Sequence, residues 1–237
     1  MADLTPLLAF RWSPRAFDPA AELAPAEAAS LLEAARWAPS VGNGQPWRFA
    51  LGHRDDETQK RILANLPATE QRWARHAAAL LLGAHVRPDP TGTAASPTGT
   101  ASPTGHASPA GLAGRTPCAG DASPAGLAGR TPCAGDASPA GSAGAASSLL
   151  GGREAYDLGQ AVAHLTVQAT ALGLYVRQIL GFDHAGLADD LELPAGVHPL
   201  VVVAVGRLGD PFSLPEELRH HETGLRRRRP LADLLLR

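Results

Sequence analysis

Ala78-Ala-Leu-Leu-Leu-Gly-Ala-His-Val86 is the stretch from which the rest of the chain can be laid out. It is almost continuously apolar, which suits a strand covered on both faces at the middle of a sheet rather than an exposed surface. Upstream, Trp47, Phe49 and Leu51 alternate with Arg48 and Ala50, the pattern of a strand with one buried face, and Gly52 closes it. Downstream, Tyr175 to Ile179 reads as a short strand, and His198 to Gly206, containing Val201-Val-Val-Ala-Val205, as another buried one.

Helical spacing fills the intervals. Ala24 to Trp37 carries Pro25 in its first turn, Ala28, Leu31, Leu32 and Ala35 on one stripe, and Pro39 as a stop. Asp55 or Asp56 is placed to cap a helix running through Leu66, with Ile62, Leu63 and Leu66 inward, and a short helix is expected over Glu70 to Ala77. From Glu154, the residues Leu158, Ala161, Val162, Leu165, Ala169 and Leu172 keep helical spacing, and Gly173 stands as a C-terminal cap. Gly159 and Ala163 would let another helix approach closely. Gly181-Phe-Asp183 reads as a turn into a helix through Leu191.

The 237 residues are 44% hydrophobic, enough for a sizeable core. A net charge of -2 provides no global field for nucleic acid or an anionic membrane, so any anion site must be local. No apolar run approaches the roughly 18 residues of a membrane span, and Met1 to Phe10 lacks the features of a secretory leader, so a cytoplasmic protein is expected. Cys118 and Cys133 have neither CxxC spacing nor His companions, and no metal site is expected. Gly42-x-Gly44 lacks the third glycine of a dinucleotide fingerprint and leads into a strand; Lys60 is not in a phosphate loop, and HExxH and GxSxG are absent. His164 and His198 read as structural.

Composition changes over residues 88–148 to Gly, Pro, Ala, Ser and Thr. Ala107 to Asp121 recurs unchanged from Ala122 to Asp136, and each copy offers a core only one Leu, too little to offset ordering entropy. A flexible, disordered low-complexity insertion is expected there, dividing one domain into residues 1–87 and 149–237.

The candidate binding groups cluster in three places. In an extended Arg11-Trp-Ser-Pro-Arg15 segment, Arg11, Ser13 and Arg15 face the same way. Pro39-Ser-Val-Gly-Asn-Gly-Gln-Pro46 is a polar loop with Ser40, Asn43 and Gln45 beside two glycines. Near the end, Arg226 and Arg228 offer guanidinium forks suited to phosphate. A turn and a solvated charged surface would account for the loop and the arginines equally well. As a set, the groups fit a phosphorylated, flat, polar-edged ligand such as flavin mononucleotide (FMN).

Arg11-x-Ser13-x-Arg15-x-Phe17 and Pro39-Ser-x-x-Asn43-x-Gln45-Pro46-Trp47-x-Phe49 resemble the paired N-terminal signature of the FMN-dependent nitroreductase family. Tyr156-Asp-Leu-Gly-Gln160, Ala171-Leu-Gly-Leu174, Leu180-Gly-Phe-Asp183, Leu193-Pro194 and Arg226-x-Arg228-x-Pro230 resemble it in order and spacing over most of residues 9–86 and 154–237. The resemblance implies a three-layer α+β fold, with a mostly antiparallel central sheet flanked by helices, in an interlocked homodimer. It implies FMN as cofactor and NAD(P)H as electron donor, in a ping-pong cycle ending on a nitroaromatic, quinone or activated carbonyl.

By the same resemblance, Arg11, Arg226 and Arg228 would hold the FMN phosphate, and Trp12, Ser13 and Arg15 would lie along the flavin, Ser13 and Arg15 at its pyrimidine end. Pro39, Ser40, Asn43 and Gln45 would reach the flavin of the opposite subunit, and the backbone around Ile179, Leu180 and Gly181 would sit near flavin N5. No side chain need act as a catalytic acid, because the cofactor carries the hydride chemistry. Glu70 or Gln71 is the nearest candidate for a polar flavin contact from the helix after the first strand. The low-complexity segment falls where relatives have ordered sequence near the substrate pocket, so a flavin binder without efficient turnover is the alternative. A nucleic-acid partner is not expected.

Overall fold

The structure, a computed structural model, describes residues 3–87 and 152–236; the repeats, with Cys118 and Cys133, lie outside the described residues. The apolar run forms β2 (Ala79–Val86), flanked by β1 (Trp47–His53) and β4 (Val197–Gly206), and β3 (Tyr175–Ile179) pairs with β4 at the edge. The sheet order is β1-β2-β4-β3 and every pairing is antiparallel. Leu81 sits opposite Leu51 on one side and Val203 on the other, which fixes which side chains share a face.

Strand alternation then makes three layers. Ala79, Leu81, Val201, Val203, Val205 and Val176 face one cluster, which includes Leu31 and Ala35 of α2 (Pro25–Arg36) and Leu158, Val162 and Leu165 of α5 (Gly152–Ala171). Leu80, Leu82, Val202, Ala204 and Ile179 face the other. That side holds Ile62 of α3 (Glu57–Ala64), Trp73 of α4 (Ala68–Ala74) and Leu187 of α6 (His184–Asp190). Each fully buried Leu or Val contributes roughly 1.5–3 kcal/mol relative to exposure, so the central strands hold the layers together from both sides.

Local signals explain the boundaries. Asp56 Oδ1 accepts from the Gln59 N–H at 2.7 Å and its Oδ2 from the His53 N–H at 2.8 Å, tying the end of β1 to the start of α3. The two elements cross so closely that a Cβ at Gly52 would lie 2.3 Å from Gln59 N. Helix α5 ends at Gly173, whose φ of +68 lets the Leu174 N–H return to the Ala169 carbonyl at 2.8 Å. Helix α4 begins at Ala68 rather than Glu70, because Pro67 precedes it and its carbonyl accepts from Glu70 and Gln71. Two helices carry no clear periodic signal: α1 (Pro6–Ala9) and α7 (Glu216–Thr223). A Cβ at Gly159 would meet nothing within 4 Å, so nothing among the described residues packs closely against that glycine.

Candidate functional site

The segment before β1 is fixed where it crosses the end of β4. Phe17 bridges to Leu208, the Asp18 N–H donates to the Arg207 carbonyl at 3.0 Å, and the Gly209 N–H to the Ala16 carbonyl at 2.9 Å. Only a glycine fits at 209, since a Cβ there would stand 2.5 Å from the Phe17 carbonyl carbon and oxygen. Phe17 stacks on Trp73, with ring centroids 6.0 Å apart.

Two charged side chains from distant elements then hold residues 13–16. Arg177 of β3 donates from Nη1 to the Ser13 carbonyl at 2.9 Å. The buried carboxylate of Glu222, on α7, accepts from the Arg15 N–H at 3.0 and 3.1 Å and from the Ala16 N–H at 3.4 Å. A carboxylate receiving backbone N–H groups makes strong, charge-assisted bonds, and these orient the segment.

Arg11, Trp12, Ser13 and Arg15 line a cavity of about 230 Å³ together with Arg226 and Arg228, and Arg177, His221 and Glu222 complete its wall. Arg11 Nη1 donates to Ser13 Oγ at 2.8 Å. Arg226 reaches the carbonyls of Ala9 and Arg11 and stands 5.9 Å from the centroid of the Trp12 ring. Burial pushes the Arg11 guanidinium below its usual pKa, and the repulsion of Arg226 and Arg228 adds to it. Burial, then Arg15, does the same to Arg177, against the opposing pull of Glu70 and Glu222. Guanidinium groups stay charged nonetheless. Arg15 Nε and Arg177 Nε are both buried without a hydrogen-bond partner. Five arginines face one carboxylate in this cavity, an excess of positive charge suited to an anion.

The polar loop is built separately. Val41–Asn43 forms a short 3-10 turn whose Val41 N–H donates to Asp157 Oδ2 of α5 at 3.1 Å. The Gln45 N–H donates to Ser40 Oγ at 3.1 Å, and Gln45 Nε2 to Asn43 Oδ1 at 3.2 Å. Asn43 and Gln45 hold left-handed backbone, φ 56 and 45, so the loop is set by its side chains against local strain. Gly44, Gln45, Arg48 and Asp157 line a second cavity of about 280 Å³.

The structure thus brings Arg11, Trp12, Ser13, Arg15, Arg226 and Arg228 together and places Pro39, Ser40, Asn43 and Gln45 outside that cavity in the same chain. Leu180 and Gly181 lie exposed past the end of β3, where His184 Nε2 stands 3.2 Å from the Leu180 carbonyl. The Ile179 side chain is core, 5% exposed, so only its backbone can meet a ligand. Gln71 is occupied, donating from Nε2 to the Leu66 carbonyl at 2.8 Å. His164 and His198 are exposed. Among the described residues no cluster of His, Cys, Asp or Glu could hold a metal ion, and no helix is long and apolar enough to cross a membrane. Arg177 and Glu222 are the site residues that the sequence reading passes over: an arginine in a strand and a glutamate in a polar helix carry no motif.

Residues 8–108 match the Nitroreductase family model. An uncharacterized 15.4 kDa protein from the ask 5' region of Mycolicibacterium smegmatis is 38% identical over 74 residues, 31% of this chain; the chain spans half the length of that relative. Among solved structures, an oxidoreductase containing FMN is similar at 26% identity and a TM-score of 0.69, covering 99% of this chain and 91% of that one. A protein from Desulfovibrio desulfuricans, described as a nitroreductase and solved in complex with FMN, shares the fold at 20% identity and a TM-score of 0.61, with 99% and 98% covered. A nitroreductase family protein from Clostridium difficile does so at 17% and 0.58, with 99% and 98% covered. Sequence match and fold together place this chain beside the nitroreductase family: its first part matches the family model, and its fold is that of FMN-containing oxidoreductases and nitroreductase family proteins.

Proposed function

We propose that this chain is an FMN-dependent NAD(P)H oxidoreductase acting as a homodimer, with residues 1–87 and 149–237 forming one domain around the repeat segment. The observation that carries the reading is the arginine cavity: a phosphate there would relieve the mutual repulsion of Arg11, Arg226 and Arg228, and two buried guanidinium Nε atoms await acceptors. Those residues fit FMN. Arg11, Arg226 and Arg228 hold its phosphate, and Ser13 and Arg15 meet the polar edge of its ring system. When bound, FMN supplies the hydride chemistry, accepting from NAD(P)H and passing on to a nitroaromatic, quinone or activated carbonyl in alternating half-reactions.

The loop from Pro39 to Gln45 stands outside the arginine cavity of its own chain, which leaves it available to complete the site of a second protomer. Leu225, Leu231, Leu234 and Leu235 are at least two-thirds exposed beyond α7, an apolar tail suited to docking on that protomer. The test is anaerobic titration of the FMN-saturated protein with NADH and NADPH. Loss of the oxidised flavin absorption is expected, restored by a quinone. Tight flavin binding without reduction would instead identify a carrier, and failure to bind FMN would refute the assignment.

A further inference from the structure

His221 is the side chain of the arginine cavity whose charge can change near neutral pH. It stands in the last turn of α7 and shares the cavity wall with Arg11 and Arg15 of the segment before β1, Arg177 of β3, Glu222 of its own helix, and Arg226 and Arg228 of the C-terminal segment. The uncharged members of that wall are Trp12 and Ser13. Guanidinium groups keep their proton throughout the range in which proteins work. Glu222 is committed as an acceptor to the N–H groups of Arg15 and Ala16. Histidine changes charge between about pH 5 and 8, so a pH dependence of the cavity in that range falls to His221. The neighbouring ring, His220, stands edge-on to it with centroids 6.1 Å apart and does not line the cavity.

A protonated imidazole brings a positive charge and two N–H donors, whereas the neutral ring brings one donor, one lone pair and no charge. An anion in the cavity therefore interacts more strongly with the protonated ring. We propose that His221 is an anion-binding residue of this cavity and that it couples binding to protonation: the anion is held more tightly as the pH falls, and its arrival draws a proton from solvent onto the imidazole. The two effects are one coupling seen from either side. This rests on the reading that a phosphate group, that of FMN, occupies the cavity. A phosphate monoester itself gains a proton below about pH 6 and loses one negative charge. The positive charge that His221 gains over the same range offsets that loss, so the cofactor stays bound in mild acid.

The test uses sulfate, which keeps both negative charges across this range, so that only the protein titrates. Calorimetry on the full chain without FMN gives the sulfate affinity at each pH and, from buffers of different ionisation enthalpy, the protons taken up. Wild type should hold sulfate about three- to tenfold more tightly at about pH 5.5 than at about pH 8, with proton uptake between. His221 is exposed, so its replacement leaves the core intact. His221→Gln should bind at one weaker affinity at both pH values without proton uptake, and His221→Arg, permanently charged, at one tight affinity. His220→Gln should keep the wild-type profile. Should His221→Gln fail to fold, the loss of pH dependence in His221→Arg decides the question. A wild-type affinity independent of pH, or a pH dependence that survives replacement of His221, overturns the role of His221 and leaves the cavity assignment standing. Sulfate that saturating FMN does not displace refutes the cavity as the site of the cofactor phosphate, and a protein that binds neither refutes both readings.

Discussion

Replacing Glu222 by Gln should weaken the fold and strengthen anion binding at once. The carboxylate accepts from the N–H groups of Arg15 and Ala16 and is the one negative group in the arginine cavity. Hydrogen bonds to a charged acceptor contribute about 1.5–3 kcal/mol each, against about 0.5–1.5 for neutral pairs. Gln retains one acceptor oxygen and turns a donor toward the other N–H, leaving a buried donor unmet at about 1–3 kcal/mol. A total near 3 kcal/mol follows, and at about 2–4 °C per kcal/mol for a unit of this size the melting temperature should fall by roughly 6–12 °C. The same change leaves Arg15 and Arg177 without their counter-charge, so sulfate or inorganic phosphate should stabilise Glu222→Gln more than the wild type. Thermal unfolding followed by circular dichroism, with and without sulfate, reads both effects. A variant melting within about 2 °C of wild type, or a gap that sulfate does not narrow, would show that Glu222 neither anchors the segment nor balances the cavity.

Gly209→Ala places a Cβ 2.5 Å from the Phe17 backbone, and the forced shift should cost about 1–3 kcal/mol and lower FMN affinity by displacing Arg15; Gly159→Ala, with nothing within 4 Å, should leave stability equal or higher in the same melting assay. His85 is buried, and burial, His198 and Arg87 hold its pKa below the usual value in the fold. The unfolded chain therefore binds the extra proton first, and stability should fall as pH drops below about 6.5 until the lowered folded pKa is passed. His76, lowered by burial and by Arg75 and Arg54, acts with the same sign, so His85→Gln should flatten the slope of melting temperature against pH without abolishing it. Ser40→Ala removes the acceptor for the Gln45 N–H, and should weaken FMN binding while leaving the elution volume on gel filtration unchanged; unchanged affinity would reduce the loop to a structural turn.

The sheet and its two helical layers were legible because burial writes itself into periodicity. The apolar run became the strand β2 between β1 and β4, Tyr175 to Ile179 formed β3, and Asp56 and Gly173 terminated their helices as their chemistry requires. The arginines at 11, 15, 226 and 228 line one cavity; their positions in sequence left them as separate groups, and the family resemblance was what joined them. Helix α7 escaped notice because Glu-Glu-Leu-Arg-His-His-Glu-Thr has one apolar residue and no stripe, and its contribution is polar. Glu222 becomes meaningful only when folding sets it against residues 207 positions away. Arg177 is likewise indistinguishable from a solvent-facing strand arginine until Ser13 and Trp73 close over it.

The most direct test of the arginine cavity as the cofactor site is a fluorescence titration of the purified protein with FMN and, separately, with riboflavin, which has the same ring system but no phosphate. Two or more charge-assisted contacts to phosphate should make FMN bind at least about a hundredfold more tightly, and Arg226→Met should remove most of that difference. Equal affinity for the two flavins, or discrimination that survives Arg226→Met, would contradict the account.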